Sequence, residues 1–161
     1  MVENSLEELY KGDIRDRRNI SFDDNKQLKE LAKRDSGRKL QVMKLFSENK
    51  LSTAKDFHHA SLIMQHGETA DDYKLAHQFA EKAVTLGDET ARWLYAATYD
   101  RWLLSTGKPQ RYGTQIIQRD DGEYAVAGDL DPNVTDAERE KWHVPPLSQA
   151  VEKFKEKYDL N

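Results

Sequence analysis

Residues 53–107 carry one pattern three times: a run of residues at helical spacing, closed by a glycine. The spacing predicts a helix from about Thr53 to Gln65 ended by Gly67, a second from near Thr69 stopped by Gly87, and a third from about Glu89 to Ser105 stopped by Gly107. Connections this short make consecutive helices antiparallel neighbours. Ala76, Ala80, Ala83, Ala91, Ala96 and Ala97 would let their axes approach closely. A chain with this centre is mainly α, built from antiparallel helical hairpins.

The flanks read less regularly. Ser5 and Glu8 form a capping box ahead of Leu6, Leu9 and Tyr10, and "KGDIRDRRN" is expected to break or fray that helix. Leu28 and Leu31 within Asp24 to Lys33, then Leu40, Met43 and Phe46 within Gly37 to Glu48, fit two short amphipathic helices joined by the polar "RDSG", or one longer bent helix. After Pro109, β-prone runs from Thr114 to Gln118 and from Glu123 to Ala127 flank Asp121-Gly122, a strong hairpin signal. Thr135 and Glu138 make a second capping box, opening a short helix that ends near Trp142. Pro145 and Pro146 lead into a last amphipathic helix with Leu147, Val151 and Phe154 as its inner stripe. The expected organisation is one domain over 1–161: N-terminal helices to 50, central hairpins over 53–107, a loop and small β-hairpin over 110–128 and C-terminal helices over 135–161.

Composition narrows the function classes. With 161 residues the chain can bury a core of its own. Hydrophobic residues at 37% against charged residues at 34% place it on the polar side of globular, short of disorder. Acids and bases are interspersed at a net charge of -4, and no basic stripe with interleaved aromatics stands out, so nucleic acid is not an expected partner. The Arg15-Asp16-Arg17-Arg18 cluster reads as a solvated helical face. The absence of cysteine removes disulfides, thiolate nucleophiles and zinc-thiolate sites, and fits a reducing compartment. No apolar run approaches the roughly 20 residues that span a bilayer, and the opening residues lack the apolar centre of a signal peptide. A soluble, cytoplasmic protein without a membrane partner is expected.

The functional signal lies in polar residues at apolar positions. On the third central helix, at about 100° per residue, Asp100 falls within roughly 20° of Trp93 and Arg101 within roughly 20° of Leu94. Both charges therefore point toward the core and need partners from elsewhere, because an unpaired buried charge costs on the order of several kcal/mol. One reading makes them a structural clamp between helices and the following loop. The other has them line a cleft, Asp100 accepting a proton or orienting a histidine and Arg101 serving as a fork for a carboxylate or phosphate. His59 and His66, seven residues apart, share one side of the first central helix about 10 Å apart, too far for an easy shared metal. No metal or cofactor is expected, whereas a single histidine as acid or base is chemically suited. In "QRYGTQ", Gly113 marks a tight turn, and Gln110, Tyr112, Thr114 and Gln115 offer neutral hydrogen-bonding groups suited to orienting a small molecule or to satisfying the end of the helix.

The alternation of alanine-rich helices and glycine stops is similar to the helical hairpins of the Sel1 and tetratricopeptide families, although no clean repeat period is present. More specifically, "HASLIMQHG", "AHQFAEKAVTLG" and "ARWLYAATYDRWLLSTGKPQRYGTQ" together resemble a bacterial family of uncharacterised proteins with HAALIFQHG-like, ARWLAAATxDR-like and YGTQ motifs. The likeness runs from His59 to Gln115 and puts His59, Gln65, His66, Asp100, Arg101, Gln110, Tyr112 and Gln115 on motif positions, with Ser61 standing where the pattern has alanine. It implies a shared polar site and supplies no activity.

The reading that follows is a small helical protein that binds a small anionic ligand or a peptide end. Its pocket would be lined by His59, Gln65, Arg101, Gln110, Tyr112 and Gln115. The alternatives are an enzyme in the same pocket, with His66 and Asp100 as its catalytic pair, and a helical-repeat interaction module that uses an open groove.

Overall fold

A computed structural model describes residues 5–21, 23–158 and 160; residues 1–4, 22, 159 and 161, which include both ends of the expected domain, lie outside the described residues. The fold is mainly α, with a two-stranded antiparallel sheet in the C-terminal third.

Helix α1 spans Leu6–Asn19, opened by the Ser5–Glu8 capping box. The "KGDIRDRRN" segment continues this helix instead of fraying it. The reason is its partner, α2 (Asn25–Ser47), which runs unbroken through "RDSG" and not as two short helices. Arg17 bridges Asp13 on its own helix and Asp35 on α2, while Asp16 accepts from Arg34 and Arg38 of α2. Asp16 and Arg17 of the cluster are therefore the near side of an interhelical ion-pair network, while Arg15 and Arg18 are exposed, as a solvated face would have them. That network also sets the rotation of α2. Leu31, Arg38, Val42 and Leu45 turn inward, leaving Leu40, Met43 and Phe46, the expected stripe, exposed.

The centre follows its sequence pattern closely. Helices α3 (Ala54–Met64) and α4 (Ala70–Thr85) begin at capping boxes on Thr53 and Thr69. A 3-10 turn at Glu89–Ala91, capped by Asp88, leads into α5 (Arg92–Ser105). The most extensive packing is α3 on α4 and α4 on α5. Ser61 of α3 and Ala76 of α4 are both fully buried, and the Ser61 hydroxyl donates to the Ala76 carbonyl at 2.7 Å. The hydroxyl thus turns a small-residue contact into an interhelical bond. Gly87 and Gly107 end their helices with φ of +98° and +73°. Gly67 acts differently. It is not left-handed, but a Cβ there would stand 2.4 Å from Asp72 Cβ. Asp72 fills that space because its carboxylate caps the Glu68 and Thr69 amides and takes Lys39 Nζ at 2.8 Å.

Strands β1 (Ile116–Gln118) and β2 (Tyr124–Val126) pair with Ile117 opposite Ala125, and Gly122 turns the hairpin. Helix α6 (Asp136–Lys141) is capped by Thr135; a 3-10 turn at Leu147–Gln149 then enters α7 (Ala150–Tyr158), which packs on β2. Val151 and Phe154, of the expected inner stripe, are partly buried and Leu147 is exposed, so the stripe faces the hairpin without being sealed in the core.

Two buried clusters result. One joins α1 to α4 through Leu9, Val42, Leu45, Phe57, Ile63, Met64 and Phe79. The other sets Ala96, Tyr112, Val134 and Val144 against Trp93, Tyr95, Tyr99 and Trp142. Among the described residues, no helix is long and apolar enough to cross a membrane.

Candidate functional site

Asp100 is fully buried on α5, and its carboxylate organises the loop that follows. Oδ1 accepts the backbone amides of Arg111 at 2.7 Å and Tyr112 at 2.9 Å. Oδ2 accepts the amide and hydroxyl of Thr114 at 2.9 and 2.7 Å. Gly113, at φ +76°, makes the bend that aims these groups at one carboxylate. Burial pushes the Asp100 pKa up, and the four hydrogen bonds pull against it. No histidine is among the bonded partners of Asp100, so the expected orienting of an imidazole is not what this carboxylate does.

Gln110 and Tyr112 complete the loop. The buried Gln110 side chain donates to the Gln115 and Ala127 carbonyls and accepts the Gln115 amide at 2.9 Å, stitching the loop to the hairpin. The Tyr112 ring is buried between Tyr99 and Trp142, and burial raises its pKa. Its carbonyl accepts Arg139 Nε at 3.0 Å, while Arg111 clasps Glu138 and Asp131. The loop is thereby fastened to α6.

Arg101, one residue along, faces a different surface. Nε and Nη2 donate to Gln115 Oε1 at 3.1 Å each, and Nη1 donates to the Gln65 carbonyl at 2.7 Å. Gln115 is held for this task, since its Nε2 donates to the Ala97 carbonyl and to Thr114 Oγ1. Every bonded partner of Arg101 is thus a neutral oxygen, and no carboxylate among the described residues pairs with it. Burial consequently holds its pKa below the usual guanidinium value.

Arg101 and Gln115 line a cleft of about 1060 Å³ between α5, the 113–116 loop and the C-terminal segment. Its walls are more apolar than polar, with Trp93, Ile116, Val144, Pro145, Phe154 and Tyr158 among the lining residues. Lys153, Lys157, His143, Asp136 and Glu140 add charge or titratable groups. Asp136 is engaged by Arg139 and by the Leu147 amide, and Lys157 Nζ sits 3.8 Å above the Trp93 ring.

The expected site residues are therefore divided. Arg101 and Gln115 line the cleft; Asp100, Gln110 and Tyr112 support its loop from behind; Gln65 contributes a carbonyl to Arg101. His59 lies on α3 and His66 in the turn that follows it, not on the helix, and both face α1. His59 stacks on Tyr10 with centroids 3.7 Å apart and lies 3.5 Å from Glu7, and burial lowers its pKa against the pull of Glu7. His66 Nδ1 lies 3.3 Å from Asp13 Oδ1 without hydrogen-bond geometry. The aromatic and lysine wall from Trp93, Phe154, Lys157 and Tyr158 was not among the expected site residues. Its sequence signal was the amphipathic last helix, whose apolar stripe reads equally as core.

Comparison with known protein families, curated proteins and solved structures gave no match to this chain. The site is accordingly read from its own geometry.

Proposed function

We propose that this protein binds a small anionic ligand in the cleft, with Arg101 as the anchor. The observation that carries the reading is a largely buried guanidinium whose bonded partners are all neutral oxygens. Folding around a cation with no charged partner, only the Tyr73 ring 6.0 Å away, costs several kcal/mol, and an anion entering the cleft would recover part of that cost at low effective dielectric. Gln115 and the Gln65 carbonyl orient the guanidinium without neutralising it, which is how a binding site and not a structural ion pair is furnished. The enzymatic alternative draws less support, because the Asp100 oxygens are consumed by the loop and His66 packs toward α1.

The reading is tested by thermal unfolding of the wild type and of Arg101→Gln in a series of small anions at constant ionic strength. A ligand at about 100 times its Kd stabilises by about 2.7 kcal/mol. An anion that raises the wild-type Tm and leaves Arg101→Gln unmoved is the expected outcome. Equal stabilisation of both proteins by every anion, or of neither by any, contradicts the reading.

A further inference from the structure

Resting on that reading of Arg101, the chemistry of the ligand can be narrowed. A guanidinium has five N–H donors. Three are taken within the protein: the Nε–H and one Nη2–H by Gln115 Oε1, and one Nη1–H by the Gln65 carbonyl. One N–H on Nη1 and one on Nη2 have no acceptor among the described residues. Two donors on the two terminal nitrogens match the two oxygens of a carboxylate, the bidentate pairing for which arginine is suited. They do not provide for the three oxygens of a phosphate, and no second unpaired guanidinium lines the cleft to do so.

The rest of the cleft asks for an apolar body. Its volume of about 1060 Å³ far exceeds what one carboxylate fills, and Trp93, Ile116, Val144, Pro145, Phe154 and Tyr158 line it. Phe154 and Tyr158, with ring centroids 4.8 Å apart, form an aromatic wall on α7, Phe154 also meeting Tyr124 of β2 at 5.8 Å. Of the cations at this end, Lys153 pairs with Glu156 at 2.7 Å, and Lys157 lies exposed over the Trp93 ring, a contact that leaves its charge in place. The inner charge of the cleft is thus Arg101, with apolar surface around it and the exposed Lys157 screened by solvent.

We propose that the cleft is a site for a monocarboxylate with an apolar body, its carboxylate seated on the two unused Arg101 donors and its body against the Trp93, Phe154 and Tyr158 wall. Two sources share this chemistry: a free aliphatic or aryl acid, and the C-terminus of a peptide ending in an apolar residue.

Isothermal titration of the full chain tests this with 3-phenylpropanoate, its neutral analogue 3-phenylpropanamide, acetate and inorganic phosphate. The expected result is saturable binding of 3-phenylpropanoate, with the amide and acetate each at least tenfold weaker and phosphate no tighter than acetate. If acetate or phosphate binds as tightly as 3-phenylpropanoate, the anion site stands and the apolar monocarboxylate is overturned. If acid and amide bind equally, or if nothing binds, the Arg101 reading falls as well. Arg101→Lys keeps the charge and removes the fork, and should weaken 3-phenylpropanoate about tenfold; unchanged affinity overturns the bidentate seat. Phe154→Ala should weaken 3-phenylpropanoate and leave acetate unchanged, and the opposite pattern contradicts the placement of the body. Should Arg101→Lys fail to fold, the wild-type series decides alone. An N-acetyl tripeptide ending in free phenylalanine, compared with its C-terminal amide, distinguishes the sources. Tighter binding than 3-phenylpropanoate, lost in the amide, supports a peptide end; weaker binding supports a free acid.

Discussion

Asp100 and Thr114 are joined twice, through one carboxylate oxygen that accepts both the backbone amide and the hydroxyl of the threonine. With the Arg111 and Tyr112 amides on the other oxygen, the carboxylate makes α5 and the 111–114 loop one rigid unit. That unit places Gln115, and Gln115 places the Arg101 guanidinium.

Asp100→Asn replaces an acceptor oxygen by a donor facing other donors. Leaving one or two buried N–H groups unsatisfied costs about 2–4 kcal/mol. Urea unfolding should report a loss of this size, and binding at Arg101 should weaken in the same variant because Gln115 is no longer held. Retention of both stability and affinity would remove Asp100 from its organising role.

Glycines that look alike in sequence should differ in their tolerance of alanine. Gly67→Ala drives a methyl into Asp72, the residue that caps α4, and should cost about 1–3 kcal/mol. Gly37→Ala, inside α2 with nothing within 4 Å, should instead stabilise by about 0.5–1 kcal/mol. Chemical denaturation of the two variants side by side checks the opposite signs.

The behaviour of Gly37 marks where local pattern stops being informative. Its flanks "RDSG" carry every mark of a helix break, yet α2 continues, because Arg34, Asp35 and Arg38 are held by Asp16 and Arg17 across the interface. The central helices were readable because Thr53, Thr69, Gly87 and Gly107 act within a few residues of themselves. Helical periodicity likewise places Asp100 and Arg101 inward, but it is blind to the loop that meets them from 10 to 15 residues further on. The direction in which His59 and His66 face was legible only relative to α3. That α1 lies across from them is a tertiary fact.

Arg38 is almost completely buried among Asp13, Asp16 and Asp35. Arg38→Ala leaves Asp13 and Asp35 to Arg17 and Asp16 to Arg34 alone, and should destabilise by about 2–3 kcal/mol. Arg38→Met, which keeps the packing of the stem, should lose nearly as much if the charge dominates. A loss under about 1 kcal/mol by urea unfolding would mean that the network is solvent-screened.

His77 is buried against Tyr95 and Tyr99, with Nδ1 3.2 Å from the Tyr95 carbonyl, and burial lowers its pKa from the ordinary 6.5. A base with a depressed folded pKa contributes stability that is complete above its unfolded pKa and is lost as pH falls through the folded value. Stability should therefore decline on acidification below about pH 6.5, with His59 adding to the slope. The lowered carboxylates Asp72 and Asp88 act in a separate window, losing their contribution below about pH 4. His77→Phe should flatten the upper window and leave the lower one intact, as read from Tm against pH.

The central claim is that Arg101 is a cation awaiting an anion. Nitrogen-15 NMR of the arginine Nε–H resonances, followed while 3-phenylpropanoate is added, reads it at the atom concerned. The account predicts a saturable shift of the Arg101 resonance together with the Trp93 indole, at one common affinity. An Arg101 resonance that stays fixed while the acid binds elsewhere, or while no anion moves it at all, would contradict the account.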